Sequence, residues 1–101
     1  MGLEALFLVE AKTRLILLEK EIDALVDLID HAGTEMQSRY TPTLASVHER
    51  FQGMEEDLEL LHQVDESGWG EFCSELDAEI HKLMHEVSVI KAEFEEQMAF
   101  A

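Results

Sequence analysis

Residues 8 to 32 read LVEAKTRLILLEKEIDALVDLIDHA, and one subset of them decides the fold. Leu8, Ala11, Leu15, Leu18, Ile22, Leu25, Ile29 and Ala32 recur at alternating spacings of three and four, and no charged residue occupies any position of the series. Side chains so spaced share one face of an α-helix, and an average period of 3.5 residues is what helices need to pack along their whole length. The pattern returns twice further along the chain. Leu44, Val47, Phe51, Met54, Leu58 and Leu61 form a second stripe, and Trp69, Cys73, Leu76, Ile80, Leu83, Val87, Ile90 and Phe94 a third. Three stripes predict three helices. The expected fold is all-α: an antiparallel up-down-up three-helix bundle with coiled-coil-like packing, which dimerises into a larger helical bundle.

The breaks between stripes set the expected boundaries within a single domain of residues 1–101. Helix one is expected over about 3–32, with Gly33 as a left-handed cap after the last stripe residue. Residues 34–41 are polar and lead into the only proline, so helix two is expected over about 42–64, with Thr41 as N-cap and Pro42 in the first turn. A rival reading starts that helix at Thr34, where the spacing to Gln37 fits a capping box, and tolerates a kink at Pro42. Asp65 to Gly68 supply a short turn, and helix three is expected over about 68–98. Connections this short favour antiparallel neighbours. Gly68 and Gly70 weaken the first turn of helix three by roughly 1 kcal/mol each relative to alanine, and Trp69 between them is expected to plug the end of the bundle.

Composition excludes several classes. With 47% apolar and 30% charged residues in 101, the chain is ordinary globular material, able to bury about 65% of its unfolded surface without disulfides or metal. The lone Cys73 cannot close an internal bridge and reads as a small core hydrophobe, which together suit a reducing, cytoplasmic compartment. The apolar run from Leu3 to Val9 is cut by Glu10, Lys12 and Arg14, too early for a membrane span or a signal-peptide core, and it reads as helix. Net charge is −16. Residues 65–101 carry ten acids and two bases, twice the excess of either earlier third. Direct binding of nucleic acid or of an anionic membrane needs the opposite sign, so neither is expected.

Candidate chemistry is sparse. Glu59 and His62 have the Glu-x-x-His spelling of di-metal bundles, but Leu58 and Leu61 already hold the inward face and no second copy occurs. Asp77, His81 and His85 stand one turn apart on helix three, a row suited to zinc, yet the register puts both histidines on the outer face, where a phosphotransfer role for His81 is equally unsupported. Asp65, Ser67 and Gly70 begin like a calcium loop, and Trp69 and Leu76 then fall where oxygen ligands belong. No nucleophile elbow or phosphate-cradling glycine loop occurs. No enzyme activity, cofactor or metal is expected.

Two features point to binding. Leu6, Val9, Ile16 and Leu17, with Thr13 between, make a second apolar face on helix one, while Phe7 and Leu28 are expected to widen the first. An isolated three-helix domain has no use for two apolar faces on one helix, so the second is expected to meet another copy about a two-fold axis. The other feature is acidic: Glu19, Asp23 and Asp27 repeat every four residues on helix one, and Glu71, Glu75 and Glu79 do so on helix three. Such rows either keep the protein soluble or dock a basic or helical partner. The function expected is therefore a helical protein–protein interaction module: an adaptor, a small chaperone or an assembly subunit. The alternative is an acidic nucleic-acid mimic that inhibits a basic DNA-binding protein.

Overall fold

Three long helices account for nearly all of the chain in the computed structural model, which describes residues 2–63 and 65–100. They are α1 (Gly2–His31), α2 (Thr34–Leu60) and α3 (Glu66–Ala99), with a 3₁₀ turn, Leu61–Gln63, closing α2. Among the described residues there is no strand. The molecule measures 53 × 18 × 17 Å. At 1.5 Å rise per residue, a helix of 34 residues is about 51 Å long, so α3 alone spans the rod.

The stripes are the core. All but one of the buried residues belong to the three series, from Ala11 to Ile29, Val47 to Leu61 and Leu76 to Phe94; the exception is Tyr40. Tyr40 continues the second stripe backwards from Leu44, and its ring stands edge-on to Phe94 at 5.8 Å between centroids. The stripes are half-buried towards their ends at Leu8, Ala32, Leu44, Trp69 and Cys73, and also at Ile90. Each fully buried leucine or isoleucine contributes roughly 1.5–3 kcal/mol, and no polar residue shares the described core to reduce that return.

Three inter-helix contacts fix how the rods sit. Phe7 of α1 meets Trp69 of α3 in a T-shaped arrangement at 6.4 Å. Arg14 pairs with Asp77 further along the same two helices, and Arg50 of α2 pairs with Glu86 of α3. Both pairs are partly exposed, where they are worth about 1 kcal/mol or less, so they select alignment more than they add stability.

The second helix begins eight residues before the expected Pro42, and Pro42 lies inside it. Segment 34–41 is polar because only Met36 and Tyr40 face the core; apart from the half-buried Gln37, the rest of these two turns is solvated surface. Helices tolerate such a stretch when the few inward residues are large. Proline there removes the N–H that would bond the Ser38 carbonyl, and both residues are exposed, so that carbonyl is open to solvent. Val64, the expected end of this helix, lies outside the described residues.

The α1–α2 corner rests on Gly33, whose φ of 104° and ψ of 170° differ from the left-handed cap expected of it. That region of backbone space is essentially restricted to glycine. Gly33 is also the N-cap of α2, its carbonyl accepting from the Gln37 N–H at 3.1 Å. No capping box forms at Thr34. Instead the Gln37 side chain donates to the Asp30 carbonyl at 2.9 Å, satisfying one of the free carbonyls at the end of α1 and tying the two helices together.

Candidate interaction surface

The outer face of α1 lies away from its buried stripe, since the residues of the second series are offset from the stripe's centre by about a third to half a turn. Leu6 is 61% exposed, Val9 63%, Ile16 54% and Leu17 51%. Thr13 is also exposed, and its hydroxyl donates to the Val9 carbonyl at 2.8 Å, so the one polar group in the middle of the face is already engaged. The structure thus brings Leu6, Val9, Thr13, Ile16 and Leu17 together on one exposed surface.

Two extensions of this face escaped the sequence reading. Leu28 faces outward at 40% exposure instead of widening the core face, because three residues past Leu25 places it well to the far side of the stripe; with Ala24 it prolongs the outer surface toward His31. On the other flank, Ile16 borders a groove between α1 and α2 floored by Leu8, Leu15 and Leu58 and rimmed by Lys12, Glu19 and Glu55. The signal for Leu28 was present in its 100° step per residue. The groove depends on how α2 is aligned against α1, which no single stripe encodes. Phe7 does pack against the core, and so does Val26.

The acidic rows are solvated. Glu19, Asp23, Asp27, Glu71, Glu75 and Glu79 are all exposed. Glu79 stands at the edge of a shallow α2–α3 groove that also holds Arg50, Lys82 and Glu86, so the chain's own cations lie beside that end of the row.

The polar constellations are taken up locally. Asp77 is engaged by Arg14, and His81 on the same surface places its Nδ1 2.9 Å from the Asp77 carbonyl. His85 is exposed one turn on. Glu59 is exposed while Leu58 and Leu61 are buried, and the His62 side chain lies outside the described residues. Among the described residues no three His, Cys, Asp or Glu side chains gather where they could hold a metal ion. Cys73 is half-buried beside the core, and burial pushes its thiol pKa up, away from the reactive thiolate. No helix among the described residues is long and apolar enough to cross a membrane.

The fold and surface define the chain as an all-α helical bundle with an exposed apolar helix face. Comparison with known proteins adds no closer relation: no family model, no curated protein sequence and no solved structure matches it.

Proposed function

We propose that the protein is a non-enzymatic helical interaction module that forms a homodimer through the outer face of α1. The observation that carries this reading is the exposure of Leu6, Val9, Ile16 and Leu17 together on a helix whose opposite face is already buried. Covering each of them contributes roughly 1.5–3 kcal/mol before the costs of association are subtracted. The subunit is an up-down-up bundle with antiparallel neighbours. Residue numbers rise together in the α1–α3 contacts Phe7–Trp69 and Arg14–Asp77, and run oppositely in the α2–α3 contacts Tyr40–Phe94 and Arg50–Glu86. Adaptor, small chaperone and assembly subunit are the roles such a module serves, in a cytoplasmic setting suited to its unpaired Cys73.

Absolute mass by light scattering on a sizing column at physiological salt tests the reading. The expected mass is twice the 11.5 kDa of one chain. Ile16→Glu is expected to return it to one chain with unchanged helicity by circular dichroism, because Ile16 makes no part of the buried core. A variant that stays dimeric would remove α1 from the interface.

The nucleic-acid-mimic reading has one observation in its favour. Sixteen net charges along 53 Å amount to about one per 3.3 Å, close to a single DNA strand at about 3.4 Å and half the density of a duplex. The acids are spread over all three helices, however, whereas a binding groove reads one side of a duplex. Binding to a basic protein that weakens steeply between low and physiological salt is the result that would favour it.

A further inference from the structure

We infer that the two copies meet with their α1 helices antiparallel, about a two-fold axis near Leu15, so that Lys20 of each copy faces Glu10 of the other. The inference rests on the self-association proposed above and adds its direction and register.

Charge explains why a second copy fits this surface when the whole chain carries −16. Residues 1–20 hold three acids, Glu4, Glu10 and Glu19, and three bases, Lys12, Arg14 and Lys20, for a net charge of zero. The other residues hold twenty acids and four bases. Copies that repel one another elsewhere therefore meet far less like charge through the N-terminal half of α1, where Glu21 and Asp23 are the acids beyond residue 20 that the contact still brings near. Lys12 and Lys20 lie exposed beside the apolar face, where a dimer of so acidic a chain needs them, while Arg14 is turned to Asp77 of α3.

Direction follows from Lys20. It lies seven residues beyond Thr13 and eleven beyond Val9, close to whole numbers of turns, and so stands in the middle of the outer face, where it is exposed. Asp27, eighteen residues beyond Val9, completes five turns and shares that line. In a parallel two-fold pair every residue meets its own copy, setting Lys20 against Lys20 and Asp27 against Asp27 across the seam. An antiparallel pair separates them.

Register follows from pairing the charges that remain. With the axis near Leu15, residues equally far before and after that position lie opposite one another. Lys20 then faces Glu10, Lys12 falls within one residue of Glu19, and Leu6 meets Ala24. Thr13 and Leu17 oppose one another, and the apolar stem of Lys20 covers Val9 while its ammonium reaches Glu10. Symmetry repeats each contact, and the apolar set Leu6, Val9, Ile16 and Leu17 is enclosed between the two charge pairs.

Cysteine crosslinking in a Cys73→Ser background reads this geometry. In the antiparallel register, the two copies of residue 16 are offset by only about 3 Å along the helices, within disulfide reach, and the two copies of residue 6 by about 27 Å. Ile16→Cys is expected to crosslink under mild oxidation and Leu6→Cys to remain uncrosslinked. Lys20→Glu is expected to weaken the dimer about five- to tenfold, and Lys20→Glu with Glu10→Lys to restore it. A chain that is monomeric by light scattering at every concentration overturns the inference and the proposed function together. A dimer in which Leu6→Cys crosslinks, or in which neither variant does, overturns the antiparallel register and leaves self-association standing.

Discussion

Gly53 and Gly33 show how differently one residue type acts at two places in the same molecule. Gly53 sits in the interior of α2, and a Cβ built there meets open space. Glycine gains nothing in that position and loses backbone entropy on folding, so Gly53→Ala is expected to stabilise the protein by about 0.5–1 kcal/mol. Gly33 also has open space around a Cβ, yet its φ of 104° is one that side chains resist. There Gly33→Ala is expected to cost about 1–3 kcal/mol, and to loosen the bond from Gln37 to Asp30 that spans the corner. Urea midpoints measured on the two variants check the contrast: movement in the same direction would mean that the corner can relax without its glycine. At this scale the sequence was legible in kind. A glycine after the last apolar residue marked the end of α1, but nothing in it distinguished the observed backbone from an ordinary left-handed cap, because both demand glycine.

Pro42 is the corresponding question for an element. It removes one hydrogen bond from the interior of α2 and crowds the carbonyl of Ser38, at about 3 kcal/mol, partly offset by up to about 1 kcal/mol through restriction of the unfolded chain. Pro42→Ala is therefore expected to stabilise by about 2 kcal/mol, read from chemical denaturation with unchanged far-ultraviolet dichroism. No gain would mean that the helix is bent there to a shape the alternative residue does not adopt. The same proline explains the largest gap between sequence and structure. Periodicity identified the inward residues of α1 and α3 almost completely, since each stripe runs unbroken and its members are the buried ones. In α2 the pattern thins to Met36 and Tyr40 before Leu44, and a proline in the midst of polar residues carries the same local signal as a loop. What kept 34–41 helical was packing of Tyr40 against Phe94, a contact between residues 54 positions apart that no local reading contains. The candidate surface was more legible than the helix boundaries, because a second apolar face on α1 is a property of one helix. Its extension through Leu28 and the groove beside Ile16 required knowing where the neighbouring helices lie.

For the whole molecule, the decisive quantity is the balance between its ion pairs and its self-repulsion. Two of its three arginines, Arg14 and Arg50, are engaged in pairs that bridge helices, and the third, Arg39, reaches Gln97 and Glu35. These pairs are all at least partly exposed and contribute little each. Against them stand rows of like charge: Glu19, Asp23 and Asp27 on α1, and Glu71, Glu75 and Glu79 on α3, all exposed, with four i,i+4 repulsions costing about 0.2–0.5 kcal/mol apiece. Added to the general self-repulsion of a chain with net charge −16, these rows are expected to outweigh the ion pairs at low ionic strength, and the core supplies the difference. Salt screens exposed charges with a Debye length that falls from about 30 Å at 0.01 M to about 8 Å at 0.15 M. Raising sodium chloride through that range is expected to increase the melting temperature by about 4–8 °C, the shift that roughly 1 kcal/mol produces in a domain of this size. Calorimetry at fixed protein concentration measures it directly. Because a dimer melts at a temperature that depends on concentration, the scan is repeated at tenfold dilution, and the salt increment is expected to persist at both. A melting temperature that falls with salt would reverse the balance, making the bridges from Arg14 and Arg50 the dominant electrostatic terms and the acidic rows a surface without energetic consequence for the fold.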